Sequence, residues 1–122
     1  MIRDGYVAVW KGSEYEASPA LNGEVRLYTT QPADGFVETR QGRHRRSVPV
    51  GELEQLRYVR TACKWRGERF IVVGEHETWL RVEYTGGRST VAERLGLDRI
   101  DHGVWQTWAP RAEVEELHEE FI

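Results

Sequence analysis

The residues in this sequence best suited to nucleophilic or metal chemistry are one cysteine and four histidines. Cys63 is the only thiol in the chain, so it has no partner for an internal disulfide. It shares a predicted strand face with Thr61 and Trp65, where a cysteine is usually a small buried side chain rather than a nucleophile. The histidines lack metal-ligand spacing; they are His44, His76, His102 and His118. We therefore predict no metal site, no cofactor and no catalytic residue.

Two further segments resemble fragments of catalytic or phosphate-binding sites. His102 follows Asp98 and Asp101, a combination that can hold a hard cation or transfer protons, but loops of small domains often collect such residues. The turn Gly86-Gly87-Arg88 lacks the Gly-Lys-Ser/Thr ending of a phosphate loop, and no Gly-x-Ser-x-Gly motif is present. These observations predict a protein that is not an enzyme.

One dense basic run could contact a phosphate backbone. Its members are Arg40, Arg43, Arg45 and Arg46. Two other interpretations remain open, a solvated hairpin and pairing with the acidic segment from Glu113 to Glu120. The formal net charge of −3 implies no general attraction to nucleic acid or to an anionic membrane. Nucleic acid is thus an alternative partner, and we expect no membrane partner.

The elements that must position these residues occur twice along the chain. Two pairs of segments align at one constant displacement, Trp10–Tyr15 with Trp65–Phe70 and Val25–Leu27 with Leu80–Val82. A third pair, Pro49–Leu56 with Pro110–Leu117, aligns at a larger displacement. The second copy therefore carries a short insertion between Val82 and Gly103. We predict an internal duplication with two domains, residues 1–57 and 58–122.

Each copy has the pattern of short strands joined by tight turns. Cys63 and its strand neighbours alternate between apolar and polar side chains, and Phe70–Val73 is rich in β-branched residues. A helical turn or two is predicted over Arg111–Leu117 after a proline, followed by a closing strand over His118–Ile122. The insertion predicts a short helix at Thr90–Leu95, with a Thr90/Glu93 capping box and Gly96 at its C-terminal end.

This order of strands, turns and a post-proline helical turn resembles that of SH3-like and Tudor-like barrels. The whole chain is also similar to an uncharacterised group of small actinobacterial, Streptomyces-type proteins. The shared segments are Tyr58–Thr61, Trp65–Gly67 and Glu83–Arg88. The resemblance to SH3-like barrels implies an all-β fold of two tandem SH3-like barrels with short helical turns, packed as one body. The resemblance to the uncharacterised group implies no activity.

Two tryptophans distinguish the second copy from the first. Trp79 shares a predicted strand face with Arg81, and its counterpart in the first copy is Glu24. Trp108 also lies on an outward face, and its counterpart is Ser47. Either the two indoles are buried against the first copy, which we favour at this point, or they form an aromatic binding surface.

The function predicted from the sequence is a non-enzymatic interaction module that binds a protein or peptide segment. The candidate binding residues are Trp79, Trp108 and Arg81. The alternatives are nucleic-acid binding through the basic run, and a small immunity or antitoxin-like protein. The lone cysteine, and the lack of a long apolar run or leader-like N-terminus, predict a cytoplasmic location.

Overall fold

A computed structural model describes residues 2–122, and the protein is all-β with one short helix. The strands are β1 (Gly5–Trp10), β2 (Ser13–Pro19), β3 (Glu24–Thr29), β4 (Val37–Arg40), β5 (Arg43–Pro49), β6 (Gln55–Trp65), β7 (Glu68–His76), β8 (Trp79–Tyr84), β9 (Asp98–Asp101), β10 (Val104–Pro110) and β11 (Glu115–Phe121). The helix α1 spans Ser89–Arg94, and two 3-10 turns span Val50–Glu52 and Arg111–Glu113. No helix in this part of the chain is long and apolar enough to cross a membrane.

The chain divides into two compact units. The N-terminal unit combines Gly5–Val59 with Phe121–Ile122, and the C-terminal unit combines Arg60–Glu120 with the described residues up to Asp4. The long strand β6 contributes its first half to the N-terminal unit and its second half to the C-terminal unit.

Strand pairing is antiparallel in both units. The order is β4-β5-β3-β2-β1-β6 in the N-terminal unit and β6-β7-β8-β10-β9 in the C-terminal unit, where β11 also pairs with β6. Among the described residues the strands form a single open sheet that ends at β4 and β9. The all-β class is therefore confirmed, whereas the tandem SH3-like barrels stay a prediction because the sheet does not close.

The strand bounds follow the two displacements seen in the sequence. Strand β8 repeats the bounds of β3 at the displacement that separates Trp10 from Trp65. Strands β9 and β10 repeat the bounds of β4 and β5 at the larger displacement that separates Pro49 from Pro110. The displacement therefore changes between Tyr84 and Asp98, in the segment that contains α1.

Each unit has its own hydrophobic core, built from the alternate residues of its strands. In the N-terminal unit Trp10, Val25 and Leu27 lie inside, and in the C-terminal unit Trp65 and Leu80 do. Burying one such aliphatic side chain stabilises the fold by about 2 kcal/mol. The core positions predicted for Trp10 and Trp65 are confirmed, since both indoles are almost fully buried.

Two predicted helical features are corrected by the structure. The Thr90/Glu93 capping box is wrong, because α1 begins one residue earlier, at Ser89, and its N-cap is Arg88 without a side-chain cap. Thr90 is therefore already inside the helix. The C-terminal signal is confirmed: Gly96 has φ 72°, and the amide of Leu97 donates to the Ala92 carbonyl at 3.1 Å.

The segment after the second proline is also more extended than predicted. The helical turn stops at Glu113, because Val114 returns to an extended backbone with ψ 131°. Strand β11 then begins at Glu115 rather than His118 and pairs with β6. Leu117 and Phe121 therefore lie on a strand and not on a helix.

Candidate functional site

The outward face of strands β7, β8 and β10 carries the two tryptophans that the first copy lacks. Trp79 and Trp108 are 43% and 45% exposed. Trp79 lies directly opposite His76 on β7, and Trp108 lies opposite Arg81 on β8. The buried neighbours Leu80 and Ala109 show why the indoles point outward, since successive strand residues face opposite sides of a sheet. We call the group His76, Trp79, Arg81 and Trp108 the tryptophan surface.

His76 reaches this surface because β7 is irregular. The pairing of β7 with β8 shifts between Val72 and Gly74, which is the signature of a β-bulge. Before the shift Val72 faces the core opposite Val82; after it Gly74 pairs with Arg81 on the outward face. A one-residue shift reverses the facing of every later side chain, so His76 joins the tryptophans. Sequence reasoning missed this residue, and Gly74 within the strand pattern was the available signal.

The three aromatic rings line an open concavity. Its volume is about 320 Å³, and its walls are His76, Trp79 and Trp108. The centroids of the His76 and Trp108 rings are 6.4 Å apart in an edge-to-face arrangement. The guanidinium carbon of Arg81 lies 5.4 Å from the centroid of the Trp108 ring, within cation–π range.

A polar network fixes the Arg81 end of the surface. Arg81 Nε donates to Gln106 Oε1 at 3.0 Å, and Gln106 Nε2 donates to Glu83 Oε1 at 2.8 Å. The side chain of Arg81 is therefore positioned before any partner arrives. A prepositioned arginine and two exposed indoles are the residue types that dominate protein-binding surfaces.

The basic run lies elsewhere, on the β4–β5 hairpin of the N-terminal unit, and its four arginines divide between two faces. Arg46 lies 4.8 Å above the Trp10 ring and donates to the Asp34 carbonyl at 3.0 Å. Gly35 leaves the necessary room, since an added Cβ there would come within 2.2 Å of the Arg46 guanidinium. Arg46 is thus a packing residue of this unit.

The opposite face of the hairpin presents the remaining arginines. Arg43 stacks 4.2 Å above the Tyr28 ring and pairs with Glu16 at 3.4 Å. Arg40 and Arg45 are exposed. The concavity beside them also contains acidic side chains, Glu14 and Glu16. The four arginines therefore do not form one uninterrupted cationic surface.

Cys63 is a core residue of the C-terminal unit. Its side chain is 3% exposed. Burial raises the pKa of the thiol to about 11, although the Arg69 charge acts in the opposite direction. The thiolate required for nucleophilic attack is therefore scarce at neutral pH.

The remaining histidines are separated. His44 is buried and lies 3.9 Å from the Glu38 carboxylate, and His118 accompanies Glu120 on β11. His102 lies in the turn between β9 and β10, where its backbone amide donates to Asp101 Oδ1 at 2.7 Å. Within residues 2–122 no cluster of three or more His, Cys, Asp or Glu side chains could hold a metal ion.

These features define an all-β protein whose C-terminal unit presents an exposed aromatic surface. The chain belongs to the family described as uncharacterised conserved protein UCP033725, whose family model matches residues 2–121. The predicted membership of an uncharacterised family is therefore confirmed. No curated protein matches the chain, and no solved structure matches it either.

Proposed function

We propose that this protein is a non-enzymatic interaction module whose tryptophan surface holds an apolar side chain of an extended protein segment. The observation that carries the proposal is the convergence of Trp79, Trp108 and His76 on one open concavity of about 320 Å³. Nearly half of each indole is exposed, and exposed large aromatic side chains grouped at one place mark binding surfaces.

The chemistry around the concavity favours a protein segment as its ligand. Its lining is aromatic, which suits an aliphatic, proline or aromatic side chain. The neighbouring groups of Arg81, Gln106 and Glu83 offer both donors and acceptors, which a peptide backbone lying beside the anchor would use. An open concavity of this shape covers a side chain rather than enclosing a whole small molecule.

The proposal also covers the fold of the two units and the cellular location and source of the protein. The chain would consist of two copies of one SH3-like unit in a cytoplasmic actinobacterial protein. Strand bounds that repeat at the two displacements found in the sequence support the duplication. The single buried cysteine suits a reducing compartment.

The two alternative functions predicted from the sequence have less support from the positions of their residues. Nucleic-acid binding through Arg40, Arg43, Arg45 and Arg46 would have to use a run that is divided between two faces, with Arg46 engaged in packing. An immunity or antitoxin-like role stays an untested prediction.

The test is selection of ligands from a displayed library of short extended peptides, followed by calorimetric titration of the best sequences. We expect the selected peptides to share an apolar anchor and to lose about thirtyfold in affinity with Trp79→Ala, the loss of a hot spot. Leu21→Ala is the control, because Leu21 is an 87% exposed apolar residue of the N-terminal unit and lies outside the tryptophan surface. Peptides that bind Trp79→Ala and Trp108→Ala as tightly as the parent would refute the proposal.

A further inference from the structure

A second concavity of the C-terminal unit lies between α1 and the β9–β10 hairpin. Its volume is about 370 Å³. The side chains that line it include Tyr84, Ser89, Glu93, Arg99, His102 and Trp105. Polar groups from a helix and from a hairpin thus converge on one cleft beside two aromatic rings. We call it the helix cleft.

The hairpin side of the cleft carries a flat aromatic residue beside a fixed cation. Trp105 and Arg99 are directly paired across β10 and β9, so their side chains share one face. Arg99 Nη2 lies 3.2 Å from His102 Nδ1. A guanidinium has only donors, so Nδ1 is the acceptor in this contact and the ring N–H is the one at Nε2. His102 thereby orients Arg99 and offers its own N–H to the cleft.

The helix side of the cleft supplies acceptors. Val91 and Ala92 of α1 are buried and anchor the helix to the core. Ser89 and Glu93 are four residues apart and therefore lie on one exposed side of α1. The carboxylate of Glu93 only accepts hydrogen bonds, and the Ser89 hydroxyl can accept or donate.

The end of the cleft is held by Tyr84. Its hydroxyl donates to Glu68 Oε1 at 3.4 Å, and Arg88 pairs with the same carboxylate. The backbone at Gly86 passes so close that an added Cβ would lie 2.0 Å from the Tyr84 hydroxyl. A residue other than glycine at position 86 would displace the ring, so the sequence maintains this position of Tyr84.

The lining selects a neutral planar ligand with distinct hydrogen-bonding edges. The charges of Glu93 and Arg99 cancel, which favours neither an anion nor a cation. Trp105 offers a surface on which a ring can stack, Arg99 and His102 donate, and Glu93 accepts. Nucleobases with an exocyclic amine have this character: arginine pairs with acceptors on guanine, carboxylates accept from base amines, and indoles stack on base faces. We propose that the helix cleft binds one unpaired nucleobase, from a free nucleoside or a single strand.

The helix cleft shares no residue with the tryptophan surface. The first copy has strands with the same bounds but lacks the residues that line the cleft. The counterparts of Arg99 and Trp105 in the first copy are Glu38 and His44, whose side chains lie 3.9 Å apart. The first copy also lacks the insertion that lengthens the segment containing α1. The cleft is therefore formed by features that only the second copy carries.

The experiment is a titration of the isotope-labelled full chain, followed through the indole N–H signals of its five tryptophans. The probes are guanosine, cytidine, adenosine and uridine, a single-stranded trinucleotide of the best base, and L-tryptophan. The Trp105 signal is assigned from Trp105→Phe. We expect that signal to shift with one or more amine-bearing nucleosides at a Kd of about 1 mM or tighter, and uridine to bind more weakly.

Two variants and one control test the assignment to residues. Glu93→Gln and Arg99→Gln alter exposed side chains, and each should weaken nucleoside binding about tenfold. Trp108→Phe changes the tryptophan surface and should leave nucleoside binding unchanged. Tighter binding of the trinucleotide than of its nucleoside would identify a single strand as the source, and equal binding would identify the free nucleoside.

The proposal is overturned by any of three results. The first is a Trp105 signal that stays fixed at saturating nucleoside while the parent remains folded. The second is binding by both cleft variants that equals binding by the parent. The third is a preference for L-tryptophan over every nucleoside, which would assign the cleft to a zwitterion instead. None of these outcomes affects the peptide-binding proposal, which depends on Trp79 and Trp108.

Discussion

Replacing Trp79 or Trp108 by alanine distinguishes two interpretations of these residues, an exposed binding surface and burial against the first copy. In the structure Trp79 and Trp108 are 43% and 45% exposed, whereas the core residue Trp65 is 4% exposed. Replacing a fully buried tryptophan by alanine costs about 3–5 kcal/mol, of which a part comes from the cavity that remains. Truncating a half-exposed indole removes only roughly half of the free energy gained by burying a whole tryptophan side chain, and solvent fills the space that the ring leaves. We therefore expect each of the two truncations to cost about 1 kcal/mol.

The assay is chemical and thermal denaturation of the parent, Trp79→Ala, Trp108→Ala and the reference variant Trp65→Ala. For a chain of this length a loss of about 1 kcal/mol lowers Tm by about 4 °C, while the reference should fall by at least three times as much. Peptide affinity measured on the same samples should fall about thirtyfold for the two surface variants.

The refuting result is a cost at Trp79 and Trp108 that equals the cost at Trp65, about 3 kcal/mol or more. That outcome would support the interpretation favoured from the sequence, in which the indoles are buried against the first copy. Loss of peptide binding would then be a consequence of unfolding and would say nothing about the surface.

Three further predictions follow from individual contacts. Because burial raises the pKa of Cys63 to about 11, the native thiol should resist a thiol reagent at neutral pH, and Cys63→Ala should cost on the order of 1 kcal/mol without affecting peptide binding. Hydrogen bonds from Arg69 and, to a smaller extent, from His118 lower the pKa of Glu120 from 4.5 to about 2. The ionised carboxylate therefore stabilises the fold above pH 4.5, and this stabilisation is lost as the pH falls towards 2. The decrease in Tm over that range should be smaller in Glu120→Gln than in the parent, and an equal decrease would contradict this assignment. Since Arg43 and Arg46 are engaged, duplex DNA should be bound with a log–log salt slope of about −2 or shallower, and a slope near about −4 would restore the whole basic run as a phosphate surface.

The local elements of this protein could be predicted from its sequence because they depend on local physics. Alternation of apolar and polar residues fixed which side of β8 faces the core, with Leu80 inside and Arg81 outside. The turn at Arg66 and Gly67 has positive φ at both residues, 50° and 77°, as a two-residue hairpin requires. The location of the helix and its end at Gly96 were likewise contained in a few neighbouring residues.

Features that depend on distant contacts could not be predicted in this way. The sequence places Arg40, Arg43, Arg45 and Arg46 in one run, and strand alternation alone puts Arg43 and Arg46 on opposite faces. Only the tertiary structure decides that Arg46 lies over Trp10 and that Arg43 stacks on Tyr28. The capping box at Thr90 was wrong, because α1 begins at Ser89 with Arg88 as an N-cap that makes no side-chain cap.

The sequence by itself determined that this protein is all-β, with Trp10 and Trp65 inside and Trp79 and Trp108 on outward strand faces. Only the tertiary structure decided what surrounds those outward indoles. The shift in pairing between Val72 and Gly74 carries His76 to their side of the sheet. Uninterrupted alternation would have placed it on the core side. The physical reason is that alternation specifies a side chain's facing only within one continuous ladder, whereas a bulge is set by the pairing of two strands.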